Sequence, residues 1–176
     1  MKKLFLILGV TLFATAASYA QKETGVGRPS ISVGVDGALP LGDFKEGYKF
    51  GIGGTVKGAV PVATGLDVTL TAGYLSFAGK SESYFGEVYK NAALSLIPIK
   101  AGVRYRLDAG PYFEPQLGYT IMSSKGFKST GAFTYAANVG VMISREVDLG
   151  VRYEAMSKNS STTSFLGARL AYNFSL

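Results

Sequence analysis

The sequence predicts an all-β fold, namely an eight-stranded antiparallel up-and-down transmembrane β-barrel. Segments of about ten residues alternate apolar with polar side chains, which is the period of a β-strand. Glycine, with 23 residues, has nearly twice its usual share of about 7%, and 11 tyrosines and 11 phenylalanines accompany it. After residue 20 no apolar run approaches the ~20 residues of a spanning helix, so any membrane crossing must use strands.

The first residues have the pattern of an export signal. A positive start at residues 1–3, an apolar stretch at 4–17 and small residues at 18–20 predict a cleaved signal peptide over 1–20. An N-terminal membrane anchor is disfavoured, because the apolar stretch is shorter than the ~20 residues that span a bilayer. We therefore expect a single barrel domain over residues 21–176.

Charge and cysteine content exclude several classes of protein. Without the two lysines of the signal peptide the formal net charge falls from +6 to +4, which is too mild and dispersed for nucleic-acid binding. The chain has no cysteine, so disulfides, thiolate metal ligands and a lipid-anchor cysteine are excluded.

Apolar residues at every second position define the first three strands, and segments with glycine or proline separate them. In the first strand, for example, Ile31, Val33 and Val35 alternate with smaller or polar residues. The predicted strands are 30–39, 50–60 and 66–77, with a loop at 40–49, a tight turn at 61–65 and the longest loop at 78–90.

The middle strands carry the same alternation with one irregularity. Leu94 and Leu96 are out of phase with the apolar face of residues 97–107, so we expect a β-bulge near Pro98. A short turn at 108–111 leads to the fifth strand, at 112–122, and a loop at 123–131 follows it.

The last three strands complete a count of eight. They are predicted at 132–144, 147–156 and 165–176, with a minimal turn at 145–146 and a polar loop at 157–163. Long and short connections thus alternate along the chain, as they do in bacterial outer-membrane barrels. The final strand, with Tyr172 and Phe174 on its apolar face, suits the closing strand of such a barrel.

The central hairpin carries a resemblance to a known family. The run LIPIKAGVRYR at 96–106, followed by GPYFEPQLGY at 110–119, resembles the small outer-membrane β-barrel-domain proteins with the eight-stranded architecture of OmpX-like barrels. The resemblance covers the whole mature chain and implies a porin-like, multi-pass protein of the Gram-negative cell envelope. We expect it to be a monomer that contacts outer-membrane lipid and lipopolysaccharide, uses the barrel-assembly machinery during biogenesis and binds no nucleic acid.

The polar face of the strands is predicted to line the lumen, because an eight-stranded barrel has an interior just wide enough for side chains. Its charges are nearly balanced, and its cations include the strand arginines, which favour fixed pairs with carboxylates. We expect cross-strand pairs of Arg104 with Glu114 and of Glu154 with Arg169. The predicted luminal charge network comprises Asp36, Lys57, Asp67, Lys100, Arg104, Arg106, Glu114, Asp148, Arg152, Glu154 and Arg169.

Two features mark the outside of the predicted barrel. Aromatic residues of the apolar face lie at strand ends, where tyrosine and phenylalanine suit the two bilayer interfaces: Phe50, Tyr74, Tyr105, Phe113, Tyr172 and Phe174. The four outer loops carry lysine without arginine, and these lysines are candidate lipopolysaccharide contacts. They are Lys45, Lys49, Lys80, Lys90, Lys125, Lys128 and Lys158.

The sequence predicts no catalytic, cofactor-binding or metal-binding residues. The chain has no histidine, the usual base of catalytic barrels, and no dense carboxylate loop. We expect an envelope structural or surface-interaction protein that acts through its extracellular loops. One alternative is a narrow pore or transport protein for ions or small solutes. Another is a soluble periplasmic ligand-binding barrel, which would be extractable without detergent.

Overall fold

A computed structural model describes residues 28–84, 87–90, 92–107, 110–124, 126, 128–144 and 146–176. The predicted signal peptide, at 1–20, lies outside these residues. The described chain forms one closed antiparallel barrel and one small hairpin. The elements are β1 (Ser30–Leu41), α1 (Phe44–Gly47), β2 (Tyr48–Ala63), β3 (Leu66–Gly79), β4 (Ser81–Tyr84), β5 (Glu87–Lys90), β6 (Leu94–Arg106), β7 (Pro111–Ser124), β8 (Thr130–Met142), β9 (Val147–Lys158) and β10 (Ser161–Ser175).

The barrel confirms the predicted fold class. Its strand order is β1-β10-β9-β8-β7-β6-β3-β2, so every strand neighbours the next barrel strand in the chain and β1 closes on β10. We call the end with the β1–β2, β3–β6, β7–β8 and β9–β10 connections the loop end. The opposite end, with the β2–β3, β6–β7 and β8–β9 connections, is the turn end. Among the described residues no helix is long and apolar enough to cross a membrane.

Side-chain alternation determines which residues face the lumen. In β7, for example, Glu114 and Gln116 are buried inside the barrel, whereas Phe113 and Leu117 are exposed on its outer surface. The same alternation holds along the other barrel strands, because the two faces of a strand meet different surroundings. Polar side chains therefore fill most of the interior, and apolar side chains cover the outside.

Two predicted loops are more ordered than expected. The segment predicted as the longest loop, 78–90, instead contains the end of β3 and the paired hairpin β4–β5. The predicted polar loop at 157–163 is a tight turn, because β9 runs to Lys158 and β10 begins at Ser161. Asn159 and Ser160 make this turn with φ angles of 48° and 64°, the left-handed values of a type I′ hairpin. The β9–β10 connection, which was predicted to be long, is therefore short, and the predicted alternation of long and short connections does not hold there.

The bulge predicted near Pro98 is absent. Ala72 pairs with Ile99 and Leu75 with Leu96 in one unbroken register, although the ladder is interrupted between these pairs. Because Pro98 has no N–H, the ladder loses a hydrogen bond there without gaining a residue. Leu94 and Leu96 are in phase with the luminal face, and the prediction was wrong because it assigned them to the outer face. The irregularities between β2 and β3 lie instead between Tyr48 and Gly51 and between Pro61 and Ala63.

An apolar cluster closes the lumen at the loop end. Phe44, on α1, packs against Phe77 with ring centroids 5.0 Å apart, and Phe77 meets Phe165 at 5.4 Å. Gly51 provides room for this packing, because a Cβ at that position would lie 2.6 Å from the ring of Phe77. The buried members of the cluster are Ala38, Phe44, Leu75, Phe77, Leu96, Ala132, Met156 and Phe165.

Candidate functional site

The interior of the barrel below the apolar cluster holds the predicted charges. Ten of the eleven predicted luminal residues are buried: Asp36, Lys57, Asp67, Lys100, Arg104, Glu114, Asp148, Arg152, Glu154 and Arg169. Arg106 differs, since its side chain is 41% exposed at the turn end and its Nη2 lies 3.0 Å from Asp67 Oδ1. Charged side chains therefore extend across the lumen and occupy the space that an open channel would need.

Glu114 is the centre of one part of this network. Its carboxylate lies 2.8 Å from Lys57 Nζ and 3.0 Å from Arg104 Nε. Thr69 donates to Oε1 at 2.9 Å and Gln116 at 2.6 Å, so both oxygens of this fully buried carboxylate are hydrogen-bonded. The pair predicted between Arg104 and Glu114 is present, because the register places the two residues opposite each other on β6 and β7.

Glu154 is the centre of a second part, with different partners from those predicted. It pairs with Lys100 and with Arg152, whose Nε lies 2.9 Å from its Oε2. The expected pair with Arg169 is wrong, because the tight turn between β9 and β10 sets a register in which Glu154 faces Phe165. Arg152 continues the network through an ion pair with Asp36.

Asp148 joins these parts near the turn end. It accepts a hydrogen bond from Tyr112 Oη at 2.8 Å and one from Arg169 Nη1 at 3.2 Å. Arg104 lies over the ring of Tyr112, with Cζ 4.4 Å from the ring centroid. Arg169 also donates to Thr55 at 2.8 Å, and Thr55 in turn donates to Asp36 at 2.8 Å. All three parts therefore form one connected network across the barrel.

Several members of the network were not predicted from the sequence. Thr55, Thr69, Gln116 and Tyr112 complete the hydrogen bonding of the carboxylates, and their position on the luminal face was the available signal. The apolar cluster was also missed. Leu75, Phe77 and Phe165 share the phase of the polar residues on their strands, which indicates that they face the lumen.

The turn end contains a cavity of about 590 Å³, which we call the vestibule. Arg28, Asp67, Arg104 and Arg106 contribute its charged groups, and Ser30, Asn173 and Ser175 contribute neutral polar groups. Further into the barrel, Lys57, Tyr112, Asn138, Arg152 and Arg169 surround a space of about 10 Å³, about the room of one water molecule. Of these two spaces, the larger one lies at the turn end.

The outer surface carries the predicted aromatic residues and part of the predicted lysine set. Phe50, Tyr74, Tyr105, Phe113, Tyr172 and Phe174 are all about half exposed. Tyr74 additionally shares a hydrogen bond of 2.8 Å with Ser95. Lys45, Lys49, Lys128 and Lys158 are exposed at the loop end, and Lys80 is half-buried. Lys125 and the side chain of Lys90 lie outside the described part of the chain.

The loop-end lysines form two groups on opposite sides of the barrel. Lys45 lies on α1, Lys49 at the start of β2 and Lys80 directly after β3. Lys80 N donates to Gly47 O at 2.9 Å and so ties these segments together. Lys128 precedes β8, and Lys158, at the end of β9, donates to Thr130. Two barrel strands separate the groups in either direction around the wall. Within the described residues, no group of three or more histidine, cysteine, aspartate or glutamate side chains is arranged to hold a metal ion.

Comparison with known proteins identifies both a family and a fold. A model of the outer membrane protein beta-barrel domain matches residues 5–174 of the chain. No curated protein matches the chain significantly. Solved structures of the same fold are numerous, and three of them illustrate the range of similarity.

The Yersinia pestis outer membrane protein Ail, in a phospholipid bilayer nanodisc, superposes with a TM-score of 0.60 at 16% identity, covering 84% of this chain and 99% of Ail. Neisserial surface protein A gives 0.58 at 16% identity, with 82% and 94% coverage. The N-terminal β-barrel domain of Pseudomonas aeruginosa OprF gives 0.56 at 11% identity, with 84% and 99% coverage. At these identities the similarity establishes the fold.

Proposed function

The chain belongs to the outer membrane protein beta-barrel domain family, and we propose that it is a closed, non-conducting barrel that acts by binding lipopolysaccharide phosphates at its loop end. It is an outer-membrane protein with eight membrane-spanning strands. The observation that carries the proposal is the filled lumen: the apolar cluster and the charge network occupy the barrel between the loop end and the vestibule. A barrel without a path for solutes acts through its surfaces.

The loop end has the charge that lipopolysaccharide binding requires. The loop-end segments carry seven lysines against Asp43, Glu46, Glu82 and Glu87, and no arginine. Lysine is a compact, strongly hydrated cation that suits solvated phosphate contacts, and each basic residue near an anionic surface contributes about 1 kcal/mol. Because the lysines form groups on opposite sides, one barrel can contact two neighbouring lipopolysaccharide molecules. Ail, of the same fold, has been solved in complex with the heparin analogue sucrose octasulfate, another polyanion.

Replacing the four exposed loop-end lysines with glutamine should weaken lipopolysaccharide binding by at least about tenfold, because several phosphate contacts of about 1 kcal/mol each are lost. The variant carries Lys45→Gln, Lys49→Gln, Lys128→Gln and Lys158→Gln. Lipopolysaccharide retained on the detergent-washed protein is measured by endotoxin assay. A second variant, with Asp43→Asn and Glu46→Gln, should retain more lipopolysaccharide than the wild type. Equal retention by all three proteins would contradict the proposal.

The closed lumen predicts electrical silence. Protein refolded in detergent and inserted into a planar bilayer should show no conductance steps, with insertion verified by its resistance to added protease. The Phe44→Ala and Phe77→Ala variants should also be silent, because the charge network still fills the barrel. The alternative, a narrow pore, requires reproducible steps whose ion preference changes in Arg104→Ala and Glu114→Ala. Such steps would overturn the closed-barrel proposal.

The remaining expectations concern the protein's other partners. We propose that the chain has no catalytic role, since it lacks the histidine and cysteine that commonly serve as base and nucleophile. We also propose that it is a monomer that engages the barrel-assembly machinery during biogenesis. Its exposed apolar wall, with aromatic residues near both ends, supports direct contact with outer-membrane lipid.

A further inference from the structure

The vestibule is a polar cavity at the turn end, remote from the loop-end lysines. We propose that it binds a small oxyanion, a ligand whose phosphate or carboxylate group lies against Arg104 and Arg106. The turn end of an outer-membrane barrel faces the periplasm, so such a ligand comes from the periplasmic side. This inference is independent of the function proposed for the loop end.

Arg104 lines the vestibule with a guanidinium whose position is fixed by its neighbours. Its Nε is held 3.0 Å from Glu114 and its guanidinium lies over the ring of Tyr112, so the side chain, only 5% exposed, is oriented before any ligand arrives. Its Nη2 has no hydrogen-bond partner among the described residues, since the carboxylate of Asp148 lies 3.7 Å away as an ion pair alone. Nη2 is itself buried, as is Asp67 Oδ1 on the same lining, so an oxyanion in the vestibule would meet the positive charge of the guanidinium rather than this donor.

The charge of the vestibule also favours an anion. Three arginines line it, Arg28, Arg104 and Arg106, against the single carboxylate of Asp67. Asp67 lies 3.0 Å from Arg106 and offsets one of the three positive charges, so the lining keeps an excess of two. The luminal network behind these residues does not supply a compensating charge, since its four other cations face four carboxylates. An unbalanced positive charge in a cavity with protein walls attracts a counter-ion more strongly than one on an open surface.

The chemistry and size of the cavity define the ligand class. Arginine presents its N–H groups as a planar fork that matches the oxygens of phosphates and carboxylates. Ser30, Asn173 and Ser175 add neutral polar groups that suit hydroxyl or amide groups of an organic anion. A volume of about 590 Å³ is within the range of small-molecule sites, roughly 300–1,000 Å³. It exceeds the needs of a bare inorganic ion.

Calorimetric titration of the detergent-refolded protein at low ionic strength tests the proposal, with inorganic phosphate and citrate as separate probes. Saturable binding of either probe is expected. The probe that binds more tightly shows whether the site prefers a phosphate or a carboxylate group. Arg106→Gln should weaken that binding about tenfold, the loss of one charged hydrogen bond. Arg106 suits this test because its half-exposed position makes the substitution compatible with folding.

Two further variants distinguish the vestibule from other positive surfaces. Asp67→Asn removes the cavity's carboxylate and should tighten binding, the opposite sign to Arg106→Gln. Lys49→Gln removes one cation at the loop end and should weaken binding less than Arg106→Gln does. The proposal is overturned if neither probe binds, if Arg106→Gln and Asp67→Asn leave the affinity unchanged, or if Lys49→Gln weakens binding as much as Arg106→Gln.

Discussion

Replacing Glu114 with alanine is expected to lower the free energy of unfolding by about 3–5 kcal/mol, the usual cost of breaking a buried ion pair by removing one partner. The substitution strands Lys57 and Arg104, which lie 2.8 and 3.0 Å from this fully buried carboxylate. It also removes the acceptor of Thr69 and Gln116. Because the chain has no tryptophan, unfolding in urea is followed by far-ultraviolet circular dichroism of the protein refolded in detergent.

Matched variants separate the lost charge from the lost hydrogen bonds. Glu114→Gln keeps the shape and one acceptor oxygen, so it should cost less than Glu114→Ala. Combining Glu114→Gln with Lys57→Met removes one of the stranded cations and should recover part of that loss, which a double-mutant cycle measures. A Glu114→Ala protein within about 1 kcal/mol of the wild type would mean that the network contributes no more than an exposed surface pair.

Replacing Phe77 with alanine should lower the free energy of unfolding by about 3–5 kcal/mol, the range found for large aromatic side chains removed from packed cores. Phe77 is fully buried and touches the rings of both Phe44 and Phe165, so its removal leaves a cavity in the middle of the apolar cluster. The same urea unfolding measurement applies. Phe77→Leu, which keeps most of the volume, is the control and should cost less than about 1.5 kcal/mol.

A different result would change the interpretation of the loop end. If Phe77→Ala costs less than Phe77→Leu, the cluster is not a packed core, and the closure of the lumen would depend on the charge network alone. Tyr74→Ala removes an aromatic ring from the lipid-facing side of the same strand. Comparing its unfolding free energy with that of Phe77→Ala separates the loss of any aromatic ring from the loss of packing inside the cluster.

The wall of the barrel was predictable from the sequence because its two faces meet different surroundings. Alternation places Glu114 and Phe113 on opposite faces and Arg104 on the same face as Glu114, and the nearly balanced charges of the polar face assign that face to the narrow lumen. Predicting which charges pair also requires the register between strands, and the register depends on the turns. A loop at 157–163 leaves the register of β9 and β10 open, which is why the partner of Glu154 was mispredicted.

The loop end was less predictable for a second reason. The rule that apolar residues face lipid fails where apolar side chains close the lumen itself. Because the interior was predicted to be polar, Phe77 and Phe165 were not assigned to it. The turn at Asn159 and Ser160 was missed because the usual type I′ signal is a glycine at the second position, and here a serine adopts the left-handed conformation. The vestibule depends on Arg28, which precedes the first strand and belongs to no sequence pattern.

The seam between β1 and β10 has a consequence for the order of folding. The two strands pair from Ser30 with Ser175 to Leu41 with Ser164, and Arg169 donates to Ser32 across a separation of 137 residues. Contacts this distant in the chain stabilise the fold only after a loop nearly as long as the barrel chain has closed, which costs conformational entropy. Until β1 pairs with β10, both strands have unpaired edges that can pair with other chains. We therefore expect the hairpins to form early and locally, and circular closure to come last, as the stage most exposed to misassembly.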